Sequence, residues 1–207
     1  MAAAKKKKRF FEVSIPLIKK ETQIQAFEIE EINNSYINYD ITRLMRGKNM
    51  LLQAKVKVED KVATAIPTKT TILPTYIGKM VRKGTDYVDD SFSTQAKDAI
   101  VRFKPFLVTR RKVSRAVRKA LRNKAKEELV EYAKNTESEK IFEDLLKNSL
   151  QRMLSMKLKK IYPLSLCEIR VLRVEKFLDV PKVKKKEIET PVTEKIDETE
   201  ESTEEKE

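Results

Sequence analysis

Eleven cations fall between Arg102 and Lys126: Arg102, Lys104, Arg110, Arg111, Lys112, Arg115, Arg118, Lys119, Arg122, Lys124 and Lys126. No acid interrupts them; Glu127, Glu128 and Glu131 come only afterwards. Arg111, Arg115, Arg118 and Arg122 are spaced by four, three and four residues, which places them on one face of a helix, with Lys112, Lys119 and Lys126 beside it at steps of seven. The chemistry this pattern offers is anion binding. A guanidinium fork grips two oxygens of one phosphate at once, which a point charge cannot do. The placement also works against the helix: cations belong at a C-terminus and acids at an N-terminus, by ~0.3–1 kcal/mol each. A positive block opening a helix therefore needs neutralisation from outside the chain. The alternative is a basic face that is merely solvated; such faces usually interleave acids.

Smaller clusters repeat the theme. Lys5, Lys6, Lys7, Lys8 and Arg9 form a basic arm, read either as a solubilising or import-like run or as a segment that orders on RNA. Arg43, Arg46 and Lys48 surround Gly47. Arg82 and Lys83, with Lys79, crowd the end of a short predicted helix, where cations are favoured in any case. The basic helix carries no aromatic before Tyr132. Recognition of phosphate and sugar in structured RNA, with little base reading, is the corresponding expectation.

Composition narrows the classes. The chain of 207 residues has no His, one Cys (Cys167) and three glycines (Gly47, Gly78, Gly84). The commonest general base is missing, thiolate zinc clusters and disulfides are excluded, and neither a phosphate-binding loop nor a dinucleotide fingerprint can be assembled. No credible pair of catalytic carboxylates stands out, so no enzyme, cofactor, metal or small-molecule substrate is expected. Apolar residues make up 40%. No apolar run approaches the ~18 residues of a membrane span, and Met1–Lys5 lacks the apolar stretch of a secretory leader, so a cytoplasmic protein is expected. Glu187–Glu207 holds ten acids and two bases, so residues 1–186 carry a net +21 against +13 for the whole chain. A body so charged repels itself unless a polyanion neutralises it, and no amphipathic helix with exposed large apolar residues favours a membrane surface.

The elements that must position these cations can be read from periodicity. Residues 1–9 read as a disordered arm, 10–180 as one domain, and 181–207 as a disordered tail, acidic from 187. Phe10–Ile18 is extended up to Pro16, and Thr22–Ile32 reads as a strand. Asp40–Gly47 is a tight loop or helical turn closed by Gly47. Met50–Glu59 alternates, with Leu52, Ala54, Val56 and Val58 inward and Gln53, Lys55, Lys57 and Glu59 outward. A turn at Glu59–Lys61 leads into a strand over Val62–Leu73. Thr75–Lys83 reads as a short helix capped by Thr75, with Ile77, Met80 and Val81 inward and Gly84 ending it. A second hairpin joins Asp86–Phe92 to Ala99–Val108 around Ala96–Asp98. Two long helices follow, Lys112–Lys134 (Val113, Val117, Ala120, Leu121, Leu129 apolar) and Ser138 to about Leu158, with caps between them at Thr136–Glu139. Cys167–Phe177 returns as a strand with Cys167, Ile169 and Val171 inward and Glu168 and Arg170 outward. Six or so strands and a late helix pair make an α+β fold: an antiparallel, barrel-like β-sheet with a short helix and a pair of long helices in the C-terminal half.

Four segments in order carry a family likeness. Lys8-Arg-Phe-Phe-Glu-Val-Ser-Ile-Pro16, Met80-Val-Arg-Lys-Gly-Thr-Asp-Tyr-Val-Asp-Asp90 within Leu73–Phe92, Arg111-Lys-Val-Ser-Arg-Ala-Val-Arg-Lys119, and Lys160-Ile-Tyr-Pro-Leu164 followed by Glu168-Ile-Arg170 together resemble the e-S-one family (formerly S-three-a-e) of archaeal and eukaryotic small-subunit ribosomal proteins. The likeness spans about residues 8–178. It implies a barrel-like sheet with helices on the platform of the small subunit, cytoplasmic and ribosome-bound, contacting small-subunit rRNA and neighbouring platform ribosomal proteins, supporting translation without catalytic residues. The assignment of basic residues comes from charge geometry alone. Where the family's hairpin usually carries Asp-Gly-Tyr, this chain has Lys97-Asp98-Ala99-Ile100, so its turn must differ.

The expected function is thus a structural constituent of the small subunit that binds rRNA through a basic helix and loops. The alternative is a free nucleic-acid-binding protein or RNA chaperone outside the ribosome. The acidic segment offers a competitor for RNA on the basic body. Removing residues 187–207 should tighten non-specific RNA binding in a filter or anisotropy assay; unchanged affinity would mean that the segment is only a solvated appendage.

Overall fold

A computed structural model of the chain describes residues 7–59 and 62–178. Strands β1 (Arg9–Ile15) and β2 (Lys20–Ala26) pair antiparallel from Arg9↔Ala26 to Ile15↔Lys20, with Val13 and Ile15 buried. Arg9, assigned to the arm by charge, is the first residue of β1. The strand expected over Thr22–Ile32 stops early. The Glu31 carboxylate accepts the Phe27 N–H at 3.0 Å, and the chain turns through a single 3-10 turn at Ile29–Ile32. Phe27 is left exposed while Ile32 is buried.

Strands β3 (Tyr36–Asp40), β4 (Met50–Glu59) and β5 (Val62–Ile72) form a meander. The alternation of β4 is as expected: Leu52, Ala54 and Val56 are fully buried and the intervening residues face out. Its ladder with β5 ends at Glu59↔Val62; Asp60 and Lys61 lie outside the described residues. The ladder slips between Gln53 and Ala54, opposite Pro67 and Thr68, which lets a proline without an N–H sit within a paired strand. Between β3 and β4 the Asp40 carboxylate accepts from the Thr42 N–H (2.8 Å) and hydroxyl (2.5 Å), and Arg46 and Gly47 take positive φ (54° and 84°) to close the turn.

The short helix α1 (Pro74–Met80) begins with Pro at its first turn, a position that needs no N–H. Thr75 does not cap it, no residue of it is buried, and it ends at Met80 rather than at Gly84. Strands β6 (Tyr87–Asp89), β7 (Phe92–Gln95) and β8 (Ala99–Thr109) follow, with β7 and β8 joined by a hairpin whose Ala96 N–H donates to the Ala99 carbonyl at 2.8 Å. Helices α2 (Arg115–Asn135), α3 (Ser138–Leu146) and α4 (Ser149–Leu158) precede the last strand, β9 (Leu164–Phe177).

The expected second long helix is two helices. Asn148 adopts a left-handed conformation (φ 59°), and its side-chain oxygen accepts from Lys48 Nζ at 2.6 Å. The break is held by a residue a hundred positions away, which no local pattern signals. The strand phase of β9 also differs from expectation. Its register against β8 slips at Lys104/Pro105, opposite Val171 and Ile169. Cys167 and Ile169 are buried, but beyond the slip Leu172 and Val174 point inward instead of Val171, and Glu168 is buried. Cys167 is the small buried apolar residue expected; burial, with Glu168 nearby, pushes its thiol up to about 12.

The fold is α+β, with nine strands among the described residues in one sheet of order β2-β1-β5-β9-β8-β6; β4 joins β5, β3 joins β4 and β7 joins β8. The sheet is not closed. Its inward residues, among them Leu52, Phe103 and Leu172, share one core with Leu121 and Leu129 of α2, Phe142 of α3 and Leu154 of α4. Ala120, expected inward, is exposed, and Ala125 and Ala133 take its place.

The glycine-free hairpin has a use of its own. Asp98 at its tip accepts from the Ser138 N–H (2.8 Å) and hydroxyl (2.5 Å), capping α3 from another part of the chain. Asp98→Ala should destabilise the fold by about 1–2 kcal/mol, the usual value of a lost N-cap, read as a lowered urea midpoint at unchanged slope. An unchanged midpoint would rule out the capping role.

Candidate nucleic-acid interface

Strand β8 delivers the chain to the basic segment at Thr109, which is fully buried. Its N–H donates to the Asp86 carbonyl at 2.8 Å, and its hydroxyl accepts the Asp86 N–H at 3.1 Å. The same hydroxyl lies 2.9 Å from the Asp86 carbonyl and 2.7 Å from that of Arg111. The Asp86 carboxylate then accepts the Val113 N–H at 2.9 Å. This clasp holds residues 110–113 out of helical conformation. The helix expected from Lys112 therefore starts at Arg115, capped by the Ser114 hydroxyl, which accepts the Val117 N–H at 3.4 Å. Arg111 and Lys112 are loop residues, and only Arg115, Arg118 and Arg122 of the four–three–four series lie on α2.

The clasp determines what is presented. Arg110, Arg111, Lys112, Arg115, Lys119 and Arg122 are all exposed, and none makes an ion pair with another described residue. Arg118 is half-buried, and its Nε, shielded from solvent, has no partner among the described residues. The first turn of α2 contains no acid. Its free N–H groups and the positive end of its macrodipole add to the side-chain charges. Because Asp86 also follows the turn in which the Thr85 N–H donates to the Arg82 carbonyl (3.3 Å), the loop of Arg82 and Lys83 is anchored beside this surface.

The acids begin where the basic face ends. Glu127 and Glu128 both lie against Lys124, at 3.4 and 3.3 Å, and the buried Glu128 also accepts from Lys157 of α4. Lys126 stands over the Phe92 ring, 5.8 Å from its centre. The tail of α2 is stitched to α3 by the Tyr132 hydroxyl, which donates to Asp144; burial together with that carboxylate pushes the phenol well above its ordinary value.

Other residues singled out by charge lie elsewhere. Lys48 is turned inward onto Glu168 (2.5 Å) and Asn148, so its charge is matched within the fold. Arg102 pairs with Glu175 at 2.8 Å and with the Ser93 hydroxyl on the outer face of the sheet. Lys104 is half-buried on β8, and Arg43 and Arg46 are exposed on the turn between β3 and β4. Of the arm, Lys7 and Lys8 are exposed, with Lys8 Nζ 5.6 Å from the centre of the Phe27 ring, and Arg9 is in β1. Lys5 and Lys6 lie outside the described residues, as does the acidic segment from Glu187 onward. Among the described residues no cluster of Cys, Asp and Glu could hold a metal ion, and no helix is long and apolar enough to cross a membrane. Charge counting missed a second set of cations, on Lys55, Lys69, Arg173 and Lys176, because they come from three strands and meet only across the sheet.

Residues 4–177 match the model of the Ribosomal S3Ae family. The small ribosomal subunit protein eS1 of Nanoarchaeum equitans is 28% identical over 179 residues, covering 82% of this chain and 90% of that protein. The proteins of the same name from Pyrobaculum aerophilum and Pyrobaculum neutrophilum are 29% and 27% identical over 141 residues, 67% of this chain and 64% of theirs.

The Glu128 cluster sets an acid limit on stability. The hydrogen bond from Lys157, helped by that from Lys124, holds the carboxyl below its usual 4.5 against the upward push of burial. A carboxylate with a lowered folded value stabilises the protein above the unfolded value and loses that contribution as pH falls through the folded one. Melting temperature should therefore fall as pH drops below the usual 4.5, and Glu128→Gln should flatten part of that fall while lowering the value at pH 7. Identical pH profiles for the two proteins would exclude the cluster as a source of acid sensitivity.

Proposed function

The chain belongs to the Ribosomal S3Ae family, and from that premise we propose that it is a structural protein of the small ribosomal subunit, cytoplasmic and ribosome-bound, that holds rRNA phosphates on α2 and the loops leading to it. The observation that carries this reading is the run of exposed, unmatched cations from Arg110 to Arg122, set on a clasped loop and the start of a helix without first-turn acids. The similarity to proteins named for the small subunit supports the same assignment.

The binding chemistry follows from the geometry. Arg110, Arg111 and Lys112 project from a loop whose backbone is fixed by Asp86 and Thr109, so little ordering entropy is lost when phosphates arrive. Arg115, Lys119 and Arg122 extend the same positive track along α2, and Arg118 brings a guanidinium with a donor still free. Arg82 and Lys83 widen the surface. Each phosphate held releases condensed counterions, which makes binding strong and steeply salt-dependent. Arg43, Arg46, Lys104 and the Lys5–Arg9 arm are secondary contacts in this proposal. Lys48 and Arg102 are left out because Glu168 and Glu175 already match them. Neighbouring platform ribosomal proteins complete the proposed surroundings, and no catalytic step or cofactor is assigned.

Two measurements test this. The protein should cosediment with small subunits from its own cell at moderate salt; recovery only in ribosome-free fractions would favour a free RNA-binding protein or chaperone. The pair Arg115→Gln and Arg122→Gln should weaken binding to small-subunit rRNA and lower the slope of log K against log salt by about one for each phosphate that is no longer neutralised. An unaltered slope would remove α2 from the interface.

A further inference from the structure

The outer face of the sheet, on the side away from α2, α3 and α4, contains a cleft of about 450 Å³. We propose that this cleft binds an unpaired RNA nucleotide, its base stacked on Tyr36 or Phe177 and its phosphates held by Lys55, Lys69, Arg173 and Lys176.

The register assembles the cleft. Tyr36 on β3 is paired with Lys55 on β4, Gln53 with Lys69 on β5, and Lys69 with Arg173 on β9. The side chains form a lateral band across four strands, ending at Lys176 and Phe177. Four cations line the cleft against one carboxylate, Glu175, and that carboxylate is engaged by Arg102 at 2.8 Å. The positive charge is thus unmatched within the cleft. Tyr36 and Phe177 are 60% and 53% exposed, so both rings are open to a ligand beside the cations.

This combination fits one chemistry. Aromatic rings on an open sheet face, flanked by Lys and Arg, provide stacking for bases and charge for the backbone, the arrangement by which sheets hold single strands. A duplex keeps its bases stacked inside and has no use for the rings. An acidic peptide would use the cations but leave the rings idle. The volume falls in the range of small-ligand pockets, ~300–1,000 Å³. The cleft therefore deepens the rRNA reading: α2 takes structured, phosphate-lined RNA, and the sheet face takes an extruded or single-stranded nucleotide. It rests on that reading only in taking RNA as the polyanion.

The test titrates the full chain with a fluorescein-labelled single-stranded oligoadenylate and, separately, with an RNA duplex. Tyr36→Ala or Phe177→Ala, whichever ring carries the base, and in either case the variant with both changes, should weaken oligoadenylate binding on the order of tenfold, the usual loss for one stacked base, and leave duplex binding unchanged. Both residues are more than half exposed, and the ring-preserving Tyr36→Phe and Phe177→Tyr, which should bind like the parent, control for folding. Arg115→Gln with Arg122→Gln should do the reverse, weakening the duplex and sparing the oligoadenylate. If α2 variants leave the duplex untouched while the ring variants lose the oligoadenylate, the cleft stands and the α2 reading fails. Oligoadenylate binding insensitive to both rings overturns the proposal. So does a full chain that binds no oligoadenylate, or a polyglutamate peptide that displaces it equally well from the parent and the ring variants.

Discussion

The β8–β9 ladder is the interaction on which the rest of this protein depends. It runs from Ala99↔Phe177 to Thr109↔Leu164 and links the two parts of the sheet. At one end, Thr109 hands the chain to Asp86 and the clasped loop that starts α2. At the other, Arg173, Lys176 and Phe177 reach the cleft on the outer face. In between, the slip at Pro105 reverses the facing of β9, so that Leu172 and Val174 reach the core instead of Val171. Ahead of the slip Glu168, on the opposite face from Cys167 and Ile169, is buried against Lys48. Glu168 draws in Lys48, Lys48 holds Asn148, and Asn148 breaks the C-terminal helical stretch into α3 and α4. A paired charge shielded from water is costly to leave single, so Glu168, Lys48 and the break at Asn148 are coupled.

The second organising principle is how the acids are used. Within the described residues, the best-placed carboxylates serve as internal staples: Asp86 for the Val113 amide, Asp98 for Ser138, Asp144 for Tyr132, Glu128 for Lys124 and Lys157, and Glu168 for Lys48. Arginines from 110 to 122 receive none of these. The electric field outside the protein is therefore more positive around the start of α2 than overall composition suggests. The opposition between the basic block and the helix macrodipole is thus left uncompensated by the described carboxylates.

Local patterns were readable where one face is wet and one dry. The alternation of β4, the turn at Ala96–Asp98 leading into β8, the inward stripe of α2 at Leu121 and Leu129, and the burial of Cys167 all follow from side-chain periodicity, whereas the single arm expected over Asp86–Phe92 is divided between β6 and β7. The density of cations before α2 was equally visible, because it lies in one continuous stretch. What escaped depends on partners far apart in the chain. Arg111 looks helical by spacing, but Asp86 withholds helix from it. Ser138–Leu158 looks continuous, but Lys48 stabilises the left-handed Asn148. Glu168 does alternate away from Cys167 and Ile169, but Lys48, 120 positions earlier, meets it there, and Glu168 is buried. Thr75 resembles a cap, but Pro74 starts the helix one residue earlier and leaves Thr75 inside it. The cleft had no signature at all, since Tyr36, Lys55, Lys69 and Arg173 are neighbours only through strand register.

The position of β9 has a consequence for how the molecule comes into being. In the sheet, β9 alone lies between β5 and β8, yet among the described residues it is the last strand. While the polypeptide is being made, β1–β5 and β6–β8 can form only as separate half-sheets, each with a bare hydrogen-bonding edge, until residues beyond Leu164 emerge. Bare edges recruit other strands. Insertion of β9 is thus the closing event of folding, and a nascent chain that stalls before it presents two sticky borders to its neighbours.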